Sequence, residues 1–204
     1  MLVRATPRRY SLGKMSEKMR VDPGMLLAAW PDMLDPNFMH SVLLVCQHTS
    51  EGAYGFVLNR PANRVIGELV STHPLLSRSP FPVYVGGPVE SDTMQFVHSV
   101  PEEIPGGVSL DGKLWLGGEV DAMASFLDAN PEAARSQLKV FLGYAGWGAL
   151  QLEIELTSGS WLPGPADPEA LFGEGGEEAW RRVVRSIGKE GWNLEQEPPD
   201  ISWN

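Results

Sequence analysis

Glycine and proline punctuate this chain so often that no apolar run outgrows a single β-strand. There are 22 glycines and 17 prolines among 204 residues, so turns are frequent and elements short. The stretch 42–46, Val-Leu-Leu-Val-Cys, has strand length and no alternation, the pattern of a strand buried on both faces. No window supplies the ~18 to 20 uncharged apolar residues that a membrane-spanning helix needs. A chain of this length suffices for one sizeable core and is short for two.

Asp22-Pro23-Gly24 is a turn leading into a strand over 25–29. An irregular loop through Trp30-Pro31-Asp32 and Asp35-Pro36-Asn37 follows. The apolar strand 41–47 and its neighbour 53–58 flank the turn Ser50-Glu51-Gly52, which predicts a hairpin. A brief helix over 66–71, a loop over 74–82 and short strands at 83–85, 94–98, 113–116 and 139–142 are expected next. Val120, Met123, Ala124 and Leu127 recur at helical spacing within 118–129, and Asn130-Pro131 stops that helix before a short helical turn at 132–137.

The strongest alternation lies at 150–156. Leu150, Leu152, Ile154 and Leu156 would share one face of an extended chain, and Gln151, Glu153 and Glu155 the other. A strand with one wet face is expected there, pairing antiparallel. Near the end, Trp180, Val183, Val184 and Ile187 form a helical stripe. Glu177 and Glu178 stand at its start, four residues before Arg181 and Arg182, and Gly188 is the expected stop.

Repeats and a regular βαβ alternation are both absent. The expectation is a mixed α/β fold of α+β character, with a mostly antiparallel curled sheet or pseudo-barrel and helices packed outside. It is one domain over 22–188, between a disordered basic leader at 1–21 and an acidic, proline-containing tail at 189–204.

Charge is unevenly placed. Residues 1–20 hold six basic residues and one acid, a local charge of +5, so the net charge of -10 leaves -15 on the remainder. A body that acidic repels phosphate backbones and argues against direct nucleic-acid binding. The basic leader could serve as a nucleic-acid arm or transit peptide, or simply be a frayed extension. The one cysteine, Cys46, rules out an intrachain disulfide and fits a reducing, cytoplasmic compartment. The four histidines show no metal-ligand spacing, so neither a metal nor another cofactor is expected.

Three constellations could carry chemistry. On a regular strand Cys46 and His48 point to one face, with Cβ atoms roughly 6 to 7 Å apart. They are either a thiol and its base or a buried thiol with a turn-capping histidine. Gly86-Gly87-Pro88 can present amides to an anion or simply make a tight turn. Gly143-Tyr144-Ala145-Gly146-Trp147 can offer two aromatics to a ligand or fold them onto the core. Glu153 and Glu155 are either an acid–base pair or a solvated face.

The series Cys46-Gln47-His48, 52–61 (Gly-Ala-Tyr-Gly-Phe-Val-Leu-Asn-Arg-Pro), Gly86-Gly87-Pro88-Val89, 143–147, Gln151-Leu152-Glu153 and Trp161-Leu162 resembles the bacterial YqgE/AlgH family. The likeness covers roughly residues 24–188. It implies a compact α/β domain with a bifurcated sheet forming a pseudo-barrel, and an association with transcriptional regulation but no defined reaction. The leader and the acidic tail depart from the family's pattern.

Together these features lead us to expect a protein that acts by binding a protein or small molecule, in the regulation of gene expression, rather than by catalysis. The candidate surface is His48, Asn59, Gly86, Gly87, Tyr144, Trp147 and Gln151, with the Gly143–Trp147 segment and the Gly86-Gly87 turn expected to meet. The alternative is a thiol-dependent enzyme or redox sensor using Cys46 with His48.

Overall fold

In the computed structural model, which describes residues 21–189, alternate residues of each central strand serve different cores. The leader and the acidic tail lie almost wholly outside the described residues. Strands β1 (Leu26–Ala29), β2 (Val42–Thr49) and β3 (Gly52–Val57) run antiparallel in order. Leu26, Ala28, Val42, Leu44 and Phe56 point into one core, while Leu27, Ala29, Leu43, Val45 and Val57 point into another. All are buried, so the expected two-sided burial of the 42–46 run is what the structure shows.

The remaining strands are β4 (Pro61–Val65), β5 (Pro82–Val85), β6 (Val89–His98), β7 (Val108–Ser109), β8 (Trp115–Leu116), β9 (Leu138–Gly148) and β10 (Trp161–Gly164). Along the sheet the order is β10-β1-β2-β3-β9-β6-β8-β7, and β4 and β5 form a side branch. Every pairing is antiparallel except β5 with β9. Leu26 and Leu44 share a core with Leu114 and Leu116, from near the opposite end of the sheet. The sheet therefore curls around this inner core without closing into a barrel, in agreement with the expected mixed α/β class.

Strand β9 holds the two branches together. Its first half pairs with β5 and its second half with β3, while β6 runs along its other edge. Gly143, at φ +66°, is the joint. A side chain there would press on the carbonyls of Gly87 and Val89, at 2.6 and 2.8 Å, and a left-handed backbone favours glycine besides. The irregularity shifts the alternation by one, so Leu138 and Val140 before it and Ala145 and Trp147 after it all face outward. The strand expected over 139–142 thus runs on through the 143–147 segment.

Helices α1 (Val120–Ala129) and α2 (Pro131–Ala134) cover one outer core with the 3-10 turns Ile66–Glu68 and Leu76–Arg78. The helix expected over 66–71 is only the first of these turns. Helices α4 (Pro168–Phe172) and α5 (Glu177–Lys189) pack on the inner core. Trp180, Val183 and Ile187 are buried as the stripe requires. Gly188 lies inside α5 rather than ending it, and Arg181 engages both Glu177 and Glu178 while Arg182 reaches Glu169.

The strand expected over 150–156 is instead a helix, α3 (Gln151–Thr157). Leu150 takes a left-handed φ of 63° and turns the chain out of β9. Leu152 and Leu156, one helical turn apart, are buried in the second outer core, while Ile154 is 66% exposed. Both periods accept leucines at i and i+4, and the helix-forming Gln, Leu and Glu residues decide between them.

Candidate functional site

Strand β2 carries a bulge at its chemically interesting end. Val45 pairs with Gly55 and Gln47 with Tyr54, which leaves Cys46 as the extra residue. One inserted residue flips the alternation. Cys46 stays with Leu44 on the inner core, Gln47 shares the side of its partner Tyr54, and His48 turns to the outer face beside Ala53. The expected same-face placement of Cys46 and His48 is therefore corrected: the pair is split across the sheet.

On the outer face His48 links two other segments. Its Nδ1 lies 2.7 Å from the Val21 carbonyl and its Nε2 3.1 Å from Oε1 of Glu153 on α3. Nearby, Oε2 of Glu155 accepts the indole N–H of Trp147 at 2.8 Å and of Trp161 at 2.7 Å, while Gln151 donates to Oε1 at 2.9 Å. Phe38 packs on both indoles. Trp147 is buried, and its polar tip is taken up inside the fold. His48, Trp147 and Gln151 thus tie α3 to the sheet, and the two glutamates are neither an acid–base pair nor a bare solvated face.

Asn59 is also turned inward. It is 7% exposed. Its Oδ1 accepts the Val42 N–H at 2.9 Å, and its Nδ2 donates to the carbonyls of His40 and Gly176, each at 2.9 Å. Gly86 and Gly87 meet the 143–147 segment directly: the Gly86 N–H donates to the Leu142 carbonyl at 2.7 Å. A Cβ on Gly86 would overlap the Gly143 carbonyl and one on Gly87 the Tyr144 carbonyl. These glycines permit backbone contact where the sheet forks.

Tyr144, unlike the inward-bonded Asn59 and Trp147, lines a described cavity. An open cleft of about 650 Å³ lies on the inner side between the β2 bulge and the β7–β8 end of the sheet. Its polar lining is Cys46, Gln47, Tyr54, Gln95, Ser109 and Tyr144, and Leu110 and Leu116 form an apolar wall. Tyr54 donates to Oε1 of Gln95, and the Tyr54 and Tyr144 rings meet at 4.9 Å. Tyr54 stands in the Gly-Ala-Tyr-Gly stretch of the family resemblance, whereas nothing in the sequence around Gln95 marks it.

Burial pushes the Cys46 thiol well above the usual cysteine range, because desolvation penalises the thiolate. Burial likewise raises Tyr54, with Cys46 nearby adding to the effect. Among the described residues, no lysine, arginine or histidine lines the cleft to offset either shift. The arrangement offers hydrogen bonds and aromatic faces, not a nucleophile with a base. Among the described residues, no cluster of three or more His, Cys, Asp or Glu is placed to hold a metal ion. Nor is any helix there long and apolar enough to cross a membrane.

Comparison with known proteins gives a consistent result. A UPF0301 protein of Chlorobium limicola is 38% identical over 175 residues, 84% of this chain and 89% of its own. One from Myxococcus xanthus is 39% identical over 169 residues, 81% of this chain and 90% of its own. The solution structure of AlgH from Pseudomonas aeruginosa superposes with a TM-score of 0.63 at 30% identity, covering 92% of this chain and 94% of that one. A crystal structure of a Corynebacterium diphtheriae protein gives 0.64 at 25% identity, with 82% and 87% covered. The AlgH-like family model matches residues 26–192, and on this match and these relatives the chain belongs to the AlgH-like family.

Proposed function

We propose that this domain acts by binding a small ligand in the inner cleft, with Cys46 serving as an unreactive part of its floor. The observation that carries this reading is the β2 bulge, which places Cys46 and Gln47 together beside Tyr54, Gln95 and Tyr144. A cavity that gathers several polar tips against an apolar wall is the usual form of a ligand site. The same bulge supports binding over thiol chemistry, because it moves His48 to the far side of the sheet. The lone, buried thiol fits a cytoplasmic setting. The acidic body favours a regulatory role exerted through a ligand or partner rather than through contact with DNA.

The test is a fragment screen by heteronuclear NMR on the full chain. Fragments should shift the backbone amides of residues 46–47, 54, 95 and 144 as one group. Fragments that gather instead on the outer face near His48 and Gln151, or that never touch the cleft, would refute the reading.

A further inference from the structure

We propose that the cleft takes a neutral, planar ring carrying a cis-amide edge, with a C=O and an N–H side by side as in a lactam or an aromatic carboxamide. This rests on the cleft being the binding site, and it adds the chemistry of the ligand. The flat shape comes from the aromatic pair. Tyr54 and Tyr144 have ring centroids 4.9 Å apart with planes inclined at 50°, and Leu110 and Leu116 stand on the same lining. A planar ring finds faces and an apolar wall to pack against.

The amide edge follows from how the polar atoms are already used. Tyr54 donates its hydroxyl proton to Oε1 of Gln95. The phenol oxygen is left as an acceptor and the Gln95 Nε2 hydrogens as donors. Both residues line the cleft, so an acceptor stands next to a donor. A ligand that presents N–H and C=O on one side satisfies both. In a trans peptide bond those groups point to opposite sides, so a single main-chain peptide group offers one or the other. A lactam ring or a primary carboxamide offers the two together. Gln47, exposed at the mouth by the bulge, adds a second side-chain amide.

Neutrality follows from the missing counter-charge. Among the described residues, neither a basic nor an acidic side chain lines the cleft. Glu90 stands at its edge, its carboxylate accepting from the Tyr144 hydroxyl at 3.4 Å. A phosphate or carboxylate on the ligand would lose its hydration beside a like charge and gain no cation in return.

The probes are uridine, inosine and nicotinamide, each titrated into the full chain with the amides of residues 46–47, 54, 95 and 144 followed by NMR. Their controls are 3-methyluridine and 1-methylinosine, in which a methyl blocks the N–H, and nicotinate, which exchanges the amide for a carboxylate. At least one parent should move the cleft signals, and its control should bind roughly tenfold more weakly or worse. Tyr54→Phe keeps the ring and should weaken the parent by roughly 3- to 10-fold, with little effect on purely apolar fragments. Controls that bind as well as their parents would overturn the proposal. So would a cleft that takes apolar fragments but none of the three parents, and in both cases the binding reading itself would stand. A cleft that takes nothing would sink both.

Discussion

Lys139 is a charged residue in a place that penalises charge, which makes its titration a direct reading of the packing around it. It lies on β9 and is 2% exposed, with Nζ donating to the Gly173 carbonyl at 3.0 Å and sitting 4.1 Å from the centre of the Tyr84 ring. Desolvation pulls its pKa down to about 7, against a smaller upward pull from Glu169. The unfolded chain keeps a lysine near its ordinary value of about 10.4. Between those two values the unfolded state holds a proton that the folded state has released. Stability therefore rises with pH through this window, by up to about 1.4 kcal/mol per unit.

Integrated from about pH 7 to about pH 9.5, the gain is about 3 kcal/mol. Cys46 and Tyr54, whose folded values are raised, act with the opposite sign. They stay protonated in the folded state while their unfolded counterparts ionise, so they lower stability as pH climbs. Lys139→Met keeps those groups and the aliphatic stem but removes the titrating amine. The difference between wild type and variant, from urea denaturation at a series of pH values, isolates Lys139. It should change by about 3 kcal/mol across the window, in favour of the wild type as pH rises. A difference that stays within about 0.5 kcal/mol would mean that the amine is hydrated in the folded protein, and the burial argument would fail.

Cys46 should react with iodoacetamide at least roughly a hundredfold more slowly in the native protein than in the urea-unfolded chain, and Cys46→Ala should cost about 1 kcal/mol; rapid native labelling below pH 7 would restore the thiol-enzyme alternative. Asn59→Ala leaves the Val42 N–H and the His40 and Gly176 carbonyls without their side-chain partner. It should cost roughly 2 to 4 kcal/mol in thermal or urea unfolding, and a loss below about 1 kcal/mol would show that water replaces it. Gly87→Ala should prevent folding or cost more than about 3 kcal/mol, since its Cβ would overlap the Tyr144 backbone. Gly112→Ala, at φ +79° with nothing within 4 Å, should cost only about 1 kcal/mol as the strain control.

The sequence and the structure part at places with a clear physical cause. Length, turn chemistry and the unbroken 42–46 run were enough for a curled, mostly antiparallel sheet, because each depends on local preference. The 150–156 segment misleads because Leu152 and Leu156 fit both the strand and the helix period. Only the exposure of Ile154 and the left-handed Leu150 separate the two in the fold. The same-face placement of Cys46 and His48 went astray for another reason. Spacing along a strand assigns faces only while the ladder is regular, and a one-residue bulge at Cys46 reverses every assignment beyond it. Glycine-rich motifs coincide with backbone crowding at the fork. Gln95 pairs with Tyr54 across 41 residues, a juxtaposition that no local pattern encodes.

The position of α5 has a consequence for how the chain is made. The Trp180 indole donates to the Ala29 carbonyl across 151 residues, at 2.8 Å, and Asn59 holds Gly176 across 117. Contacts of such separation close large loops, whose entropy must be spent before the contact rewards it. During synthesis β1 and β2 therefore emerge long before the helix that covers their inner side. Leu26, Ala28, Val42 and Leu44 lack their Trp180, Val183 and Ile187 neighbours until residues 180–187 leave the ribosome. The nascent sheet is then at its most prone to self-association. Docking of α5 therefore comes late, and termination before Trp180 should leave the inner core open on that side and prone to aggregation.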